Sequence, residues 1–525
     1  MRKSLLVLCC SMMLLALARP VVAQQACESL MALKLLDTTI TAAESVAAGA
    51  FTGAPPPIIP SRSFKSLPAF CRVTGVIKPT SDSDIRFEVW LPSAGWNGKF
   101  QGIGNGGYAG AIDYGTPGLS GLAGAISRGS AAAATDTGHQ GKPGDAAWAV
   151  GHPEKVIDYG YRAIHLMTVQ GKAVVKAFYG KPPARSYFSA CSNGGRQALM
   201  EAQRYPDDYD GIIAGAPANN FTGLVAAHAW NMQTLEADPA AYISARKLPA
   251  LEAAALAACD ALDGAKDELI DEPLKCKFDP AVLLCKGEET DKCLTPLQLA
   301  ALKKIYDGPR DKDGKLIFPG FPPGGESGGS GWGGWITGAA GPGQSGQFVF
   351  GTRFFKYMVF EDEKWDYRKL DVGRDAQIAE KKLGRILNST DPNLKAFQAR
   401  GGKLILYHGW CDAAIPLQNT RNYYDSVAAK LGARQTASFV RFYPAPGMHH
   451  CALGPGPSMF GQLGAPLGDA NHDITAALER WVEQGVAPDR IIAVKWKSTL
   501  NPDSGVARSG LLCPYPLVAR YNGSG

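Results

Sequence analysis

The stretch "YFSACSNGGRQALM", residues 187–200, decides the fold reading: a strand running into a helix through a tight turn of small residues. Ser192 sits at the apex of that turn, beside Cys191. Serine is a poor nucleophile unless a base takes its proton and a third group orients that base. A sharp strand-to-helix turn helps, because it lifts the hydroxyl out of the sheet and points backbone N–H groups at a developing oxyanion. The usual form is G-x-S-x-G, and here it is Ala190-Cys191-Ser192-Asn193-Gly194, with alanine for the first glycine. Gly194 and Gly195 allow the helix to start close to the strand. In isolation the same residues describe a serine that caps a helix, so the acid and the base must be sought downstream.

They occur in the order an α/β hydrolase requires, serine then acid then histidine, each after a later strand. Asp412 follows the strand-like run "KLILYHGW", and His450 follows "SFVRFY". The chain has only eight histidines, although His449 competes directly with His450. Asp412 alone could equally be a turn residue before "AAIP". The oxyanion needs two N–H donors. Asn193, after the serine, supplies one, and Gly106 or Gly107 in the loop "GNGGYAG" the other. That loop lacks the G-x-G-x-x-G spacing of a dinucleotide site.

Across the chain, "CRVTGVI" and "IRFEVWLP" read as strands, followed by a glycine-rich loop "FQGIGNGGYAG", a helix near "VIDYGYRAIHLMTVQGKAVVKAFYG" and an apolar strand "GIIAGAP". Strands alternating with helices predict a mainly parallel α/β sheet. Alternation breaks down after residue 222 and resumes with "GGKLILYHGWCD", ending in a helix at "HDITAALERWVEQG". The expected organisation is an α/β-hydrolase fold whose catalytic domain, 24–222 and 396–525, is split by a lid domain, 223–395. The lid carries the tract "FPPGGESGGSGWGGWITGAAGPGQSG", too rich in glycine and proline for regular structure. Trp332, Trp335 and Phe350 in and after it are candidates to grip an aromatic substrate group, or else lid core.

Residues 1–23 read as a secretory signal: Arg2 and Lys3, an apolar run, then small residues before Gln24. No later segment is long and apolar enough to span a bilayer. The formal charge of +6 falls to about +3 once Arg2, Lys3 and Arg19 are removed, too weak and scattered to argue for nucleic acid. Ten of the twelve cysteines then remain, which in an exported chain points to disulfides. Sequence alone does not fix their pairing. In "CDALDGAKDELIDEP", residues 259–273, Asp260, Asp263, Asp267 and Asp271 recur every three or four residues around Gly264. With backbone carbonyls such as those of Ala265 and Leu269 they offer the hard oxygens calcium takes, without the EF-hand pattern.

Assembled, these residues make the sequence resemble the tannase and feruloyl esterase family across nearly all of the mature chain. The resemblance rests on "CSNGGRQ", "YPDDYDGIIAGAPA", "ACDALDGAKDELID", "FFKYMVFEDEKWD", "PGMHHC" and "LLCPYPLVARYNG". It implies an exported serine carboxylesterase acting on a small aromatic ester, with no organic cofactor, and with Ser192, Asp412 and His450 as triad. Hydrolysis of mono(2-hydroxyethyl) terephthalate, an activity found in the family, is one form this would take. The resemblance also implies a Cys191–Cys451 bond, structural bridges Cys27–Cys71, Cys259–Cys276 and Cys285–Cys293, and a lid calcium held by Asp260, Asp263, Asp267 and the Ala265 and Leu269 carbonyls. Cys411 and Cys513 are left to pair by elimination. His408 matches a site-lining histidine of the terephthalate-monoester enzyme, and Arg353 is a candidate partner for a distal carboxylate. The rival reading is a catalytically silent polyphenol- or carbohydrate-binding protein on the same fold. The sequence carries no signal of oligomeric state.

Overall fold

A computed structural model describes residues 24–53, 63–115, 120–463, 468–521 and 523; the expected signal, 1–23, lies outside them. Nine strands form one sheet: β1 (Thr38–Val46), β2 (Phe70–Ile77), β3 (Ile85–Pro92), β4 (Lys99–Ile103), β5 (Ala131–Thr135), β6 (Arg185–Cys191), β7 (Gly211–Gly215), β8 (Lys403–Gly409) and β9 (Val440–Ala445). Their order is β1-β2-β3-β5-β4-β6-β7-β8-β9. Pairing is antiparallel from β1 through β5 and parallel from β5 to β9. This is the expected α/β-hydrolase arrangement. Parallel strands carry their connections at one end, so the loops after β6, β8 and β9 meet at the same edge of the sheet.

Local sequence explains most of these elements. β8, "KLILYHG", is buried from its second residue onward, as a central parallel strand should be. β5 is "AAAAT", a run that favours helix on propensity alone. It is a strand because its small side chains admit the helix Ala163–Tyr179, where a Cβ added to Gly171 would stand 3.0 Å from Phe100 and 3.1 Å from Ala133. The first residues of the expected glycine-rich loop prove to be strand, since Lys99–Ile103 is β4.

β7 and β8 are hydrogen-bonded neighbours, yet residues 216–402 lie between them in sequence. That excursion contains the helices Phe221–Glu236, Leu248–Cys259, Pro296–Asp307, Gly346–Arg353 and Val372–Leu387. Thr295 and Gln298 form a reciprocal capping box on the third of these. One apolar cluster, with Phe221, Phe354 and Phe355, reaches back to Tyr108 and Tyr159 of the sheet-bearing part. A second, with Met232, Leu248, Leu302 and Trp332, packs mainly within the excursion.

A two-stranded hairpin, β10 (Ile491–Ser498) and β11 (Asn501–Leu512), follows the helix Ile474–Gln484. The hairpin lies beyond the helix on which the expected alternation ends, and its second strand, "NPDSGVARSGLL", is polar and contains proline. β11 pairs on one side only, with β10, and all but its last residue are at least partly exposed, so it needs no apolar alternation. Among the described residues no helix is long and apolar enough to cross a membrane.

Among the described residues four disulfides are present: Cys27–Cys71, Cys191–Cys451, Cys259–Cys276 and Cys285–Cys293. The fifth expected pair does not form. Cys411 and Cys513 are both free thiols, and Cys411 is buried with its S–H directed at the carbonyl of Gly324, 3.2 Å away. Its neighbourhood is the excursion, against Gly325, which leaves it no cysteine partner.

Candidate active site

Ser192 directly follows β6 and precedes the helix Asn193–Arg204, with φ 66° and ψ −125°. Positive φ is costly for a residue with a Cβ, and such strain persists only where the surroundings enforce it. Here the Ser192 N–H donates to Gly215 O at 2.9 Å, and its carbonyl accepts from Ala218 N at 3.1 Å. The two following glycines are sterically required. A Cβ on Gly194 would lie 2.5 Å from the Ala190 Cβ, and one on Gly195 2.3 Å from Gly215 O. The helix therefore begins pressed against β6 and β7, and the first-turn N–H of Asn193, which has no intrahelical acceptor, is available beside the serine.

The Asn193 side chain fixes that amide. Its Nδ2 donates to Asn105 O at 3.2 Å, while its Oδ1 accepts from Tyr159 Oη at 3.0 Å and Arg196 Nε at 2.8 Å. Gln197 Oε1 accepts from the Asn105 N–H at 2.9 Å, tying the glycine loop to the same helix. Of the two candidate glycines, Gly107 (φ 56°) is wedged against Pro143 O, where a Cβ would come within 2.4 Å. A Cβ on Gly106 would meet nothing within 4 Å, so its backbone faces open space beside the elbow.

Arg196 was not apparent as a site-building residue from sequence, although its i+3 spacing from Asn193 was a readable signal. It is fully buried and donates to the carbonyls of Gly160, Leu387 and Tyr159 at 2.7, 3.2 and 3.0 Å. Its guanidinium also lies 4.8 Å from the Tyr159 ring centroid. Arg196→Met should fill the space but strand these acceptors. A loss of about 3 kcal/mol in denaturant unfolding is expected, together with lower turnover through a loosened Asn193.

Asp412 follows β8 and is 2% exposed. Its Oδ1 accepts from the N–H groups of Ala414 and Ile415 at 2.8 and 2.9 Å, and its Oδ2 from His450 Nδ1 at 2.8 Å. Burial works to raise its pKa, but the charge of His450 and hydrogen bonds from His408 and His450 outweigh it and hold the carboxyl well below the ordinary carboxylate range. His449 is not the competitor its position suggested. Its Nδ1 pairs with Ser330 Oγ at 2.6 Å instead. The Cys191–Cys451 bond then joins the residue before Ser192 to the residue after His450, with Cα atoms 5.9 Å apart.

His408 is a correction to the expectation of a substrate-lining residue, for it is completely buried. Its Nε2 faces both Ile415 O at 2.8 Å and Asp412 Oδ2 at 3.1 Å, and its Nδ1 faces Thr420 Oγ1 at 2.7 Å. A carbonyl only accepts, so Nε2 carries the proton and His408 steadies the acid from behind.

Of the expected aromatic grip, Trp335 and Phe350 are brought to the site. Trp335 stands edge-to-face on the His450 ring with centroids 5.0 Å apart, and Phe350 stacks on Trp335 at 6.0 Å. Tyr108, in the glycine loop, donates its hydroxyl to Phe350 O at 2.7 Å and so clamps the excursion to that loop. Trp332 is not there. It is 2% exposed, packed between Tyr306 and Phe321 in the core of the excursion. Arg353 donates to Gly144 O at 2.7 Å and stays partly exposed.

In the acidic loop, Asp260 and Asp263 accept backbone N–H bonds from Asp267 and Ala265 at 3.1 and 2.9 Å. Asp271 is pushed up to about 6 by burial and by the charges of Asp263, Glu272 and Asp260. Cations also border the loop, since Lys275 and Arg520 pair with Glu272 at 2.7 and 3.3 Å. Arg508 pairs with the carboxylate of Asp267 and donates to its carbonyl at 2.9 Å.

A family profile described as tannase and feruloyl esterase matches residues 71–525. An uncharacterized esterase of Xanthomonas campestris pv. campestris is 42% identical over 527 residues, covering 96% of this chain and 90% of that protein. A probable feruloyl esterase B-2 of Aspergillus flavus is 35% identical over 464 residues, covering 86% and 84%. Among solved structures, feruloyl esterase B from Aspergillus oryzae superposes with a TM-score of 0.84 at 32% identity, covering 95% of this chain and 97% of that one.

Proposed function

This chain belongs to the tannase and feruloyl esterase family and is a carboxylic ester hydrolase, and from that premise we propose that it cleaves small aromatic esters of the hydroxycinnamate, gallate or terephthalate type through an acyl-enzyme on Ser192. The observation that carries the reading is the link from Asp412 through His450 and the Cys451–Cys191 bond to the strained Ser192. In this mechanism His450 takes the Ser192 proton as the hydroxyl oxygen attacks the ester carbonyl. The N–H groups of Asn193 and of the Gly106–Gly107 turn hold the oxyanion. The imidazolium, stabilised by Asp412, then gives its proton to the departing alcohol. Water deprotonated by the same imidazole releases the aromatic acid.

Trp335 and Phe350 supply apolar faces for the acid's ring, and Arg353 a cation for a distal carboxylate such as that of mono(2-hydroxyethyl) terephthalate. In this reading residues 223–395 act as the lid that carries them. A panel of methyl ferulate, methyl gallate and mono(2-hydroxyethyl) terephthalate, assayed with wild type and Ser192→Ala, tests the proposal. Turnover of at least one ester by wild type and none by the variant is expected. If both proteins leave all three intact, a silent binding protein is the better description.

Four disulfides fit an oxidising compartment, and residues 1–23 are proposed as the export signal. The lid is proposed to hold calcium on Asp260, Asp263, Asp267 and the Ala265 and Leu269 carbonyls, where the ion would neutralise the loop's carboxylates and have no part in the chemistry. Chelation should lower the thermal midpoint by several degrees and added calcium restore it. An unchanged midpoint would remove the metal from this account.

A further inference from the structure

At the end of the sheet opposite Ser192, just before β7 begins, a histidine and two carboxylates converge. His165 comes from the helix Ala163–Tyr179, Glu201 from the helix Asn193–Arg204 and Asp208 from the loop before β7. One ligand atom from each lies within 4.8 Å of the others. His165 Nδ1 and Asp208 Oδ2 are 2.6 Å apart. Glu201 is 1% exposed, and both of its carboxylate oxygens are buried without a hydrogen-bond partner. A buried carboxylate paired at neither oxygen is costly, and either a cation or a proton must neutralise it. Burial and the charge of Asp208 hold the Glu201 carboxyl well above the ordinary carboxylate range.

The cations nearby give their hydrogens to other acceptors. Lys172 donates to the Asp208 carbonyl and lies 5.3 Å from the Tyr209 ring centroid. Arg400 donates to the carbonyls of Pro206 and Tyr209 at 2.9 and 2.6 Å and pairs with Asp207 and Asp210. Arg204 lies over the Tyr161 ring at 4.3 Å. What faces Glu201 is therefore a donor set of one imidazole nitrogen and a second carboxylate, and the charge of the two carboxylates matches a divalent ion. An imidazole ligand favours a transition ion such as zinc over calcium or magnesium, which take oxygen ligands. Tyr205 stacks on the His165 ring with centroids 3.8 Å apart and planes 7° apart, which fixes the direction of Nδ1. The His165 and Asp208 side chains are 28% and 12% exposed, so an ion has a path from solvent to the buried glutamate.

We propose that His165, Glu201 and Asp208 form a site for a divalent transition ion of the zinc type, stapling the helix that follows Ser192 to the helix Ala163–Tyr179. On binding, His165 Nδ1 becomes a ligand and its proton moves to Nε2, while any proton on Glu201 leaves to solvent. The test is zinc binding to the full chain, stripped of metal and then kept in saturating calcium so that the acidic loop does not report. A chromogenic chelator reads bound zinc, and calorimetry the thermal midpoint. Wild type should bind one equivalent and gain several degrees. His165→Asn and Glu201→Gln should each weaken binding about a hundredfold or more. His472→Asn, which removes an exposed histidine–aspartate pair, should leave it unchanged. No zinc on wild type, or equal binding by the two folded variants, would overturn the site and leave Glu201 and Asp208 sharing a proton. Were both variants to misfold, anomalous density from zinc-soaked wild-type crystals decides: a peak among the three side chains supports the site, and no peak there overturns it.

Discussion

Asp412→Asn should lower kcat by about ten-thousand-fold while leaving substrate affinity close to wild type. The expectation follows from the donors around the carboxylate. Ala414 N, Ile415 N, His408 Nε2 and His450 Nδ1 all point hydrogens at it, two on each oxygen. An asparagine must turn its NH2 group towards one of those pairs. If it faces the histidines, His450 loses its acceptor at Nδ1 and moves its proton to Nε2, where it can no longer receive the serine proton. If it faces the Ala414 and Ile415 amides, two buried N–H groups are stranded instead, at about 1–3 kcal/mol each. The same carboxylate contributes to stability with a definite sign. Because its folded pKa lies below its unfolded value, its contribution is complete above about pH 4 and is lost as pH falls further. Acid unfolding of Asp412→Asn should therefore be less steep in that range than that of wild type.

The second large effect belongs to the disulfide between the neighbours of the proposed nucleophile and base. Replacing Cys191 and Cys451 together by alanine opens a loop of 260 residues, which in the chain-entropy account is worth about 5 kcal/mol of stability. The kinetic consequence is more diagnostic. Both bonded residues flank the proposed catalytic positions, and Cys451 itself sits at φ 66°, as Ser192 does. Without the bond the His450 loop is held mainly by its hydrogen bonds and by the contact of Trp335 from the excursion. A displacement of about 1 Å between base and nucleophile costs on the order of a hundredfold in rate. The double variant, assayed where it is still folded, should show at least that loss in kcat. Removing Cys27–Cys71, which staples the opposite edge of the sheet, should leave kcat within about twofold. Equal losses from the two bridges would reduce Cys191–Cys451 to ordinary stapling.

What the sequence disclosed of this architecture divides along physical lines. The elbow, the order of Ser192, Asp412 and His450 and the long interruption between β7 and β8 are written in local pattern: small residues at a tight turn, apolar runs, and the loss of alternation. Side-chain destination is a different matter. His408 lies four residues before the acid, and only the packing around β8 reveals that its ring turns inward, behind Asp412, to meet Thr420 and Ile415. Trp332 and Trp335 are three residues apart in one glycine-rich tract, yet one is core and the other touches His450. Counting leaves Cys411 and Cys513 as a pair but carries no geometry; Cys411 instead lies against Gly325 of the excursion. β5 escapes propensity altogether, since an alanine run becomes a strand only because neighbouring strands and the Gly171 helix accept it there.

The central claim is that Ser192 forms the covalent intermediate. Treatment with an aryl ester under single-turnover conditions, quenched by acid and followed by peptide mass analysis, reads this directly. The account predicts an acyl adduct on the peptide containing Ser192, formed at the rate of alcohol release and absent from Ser192→Ala. An adduct on any other residue, or alcohol release by Ser192→Ala at a rate near that of wild type, would contradict it.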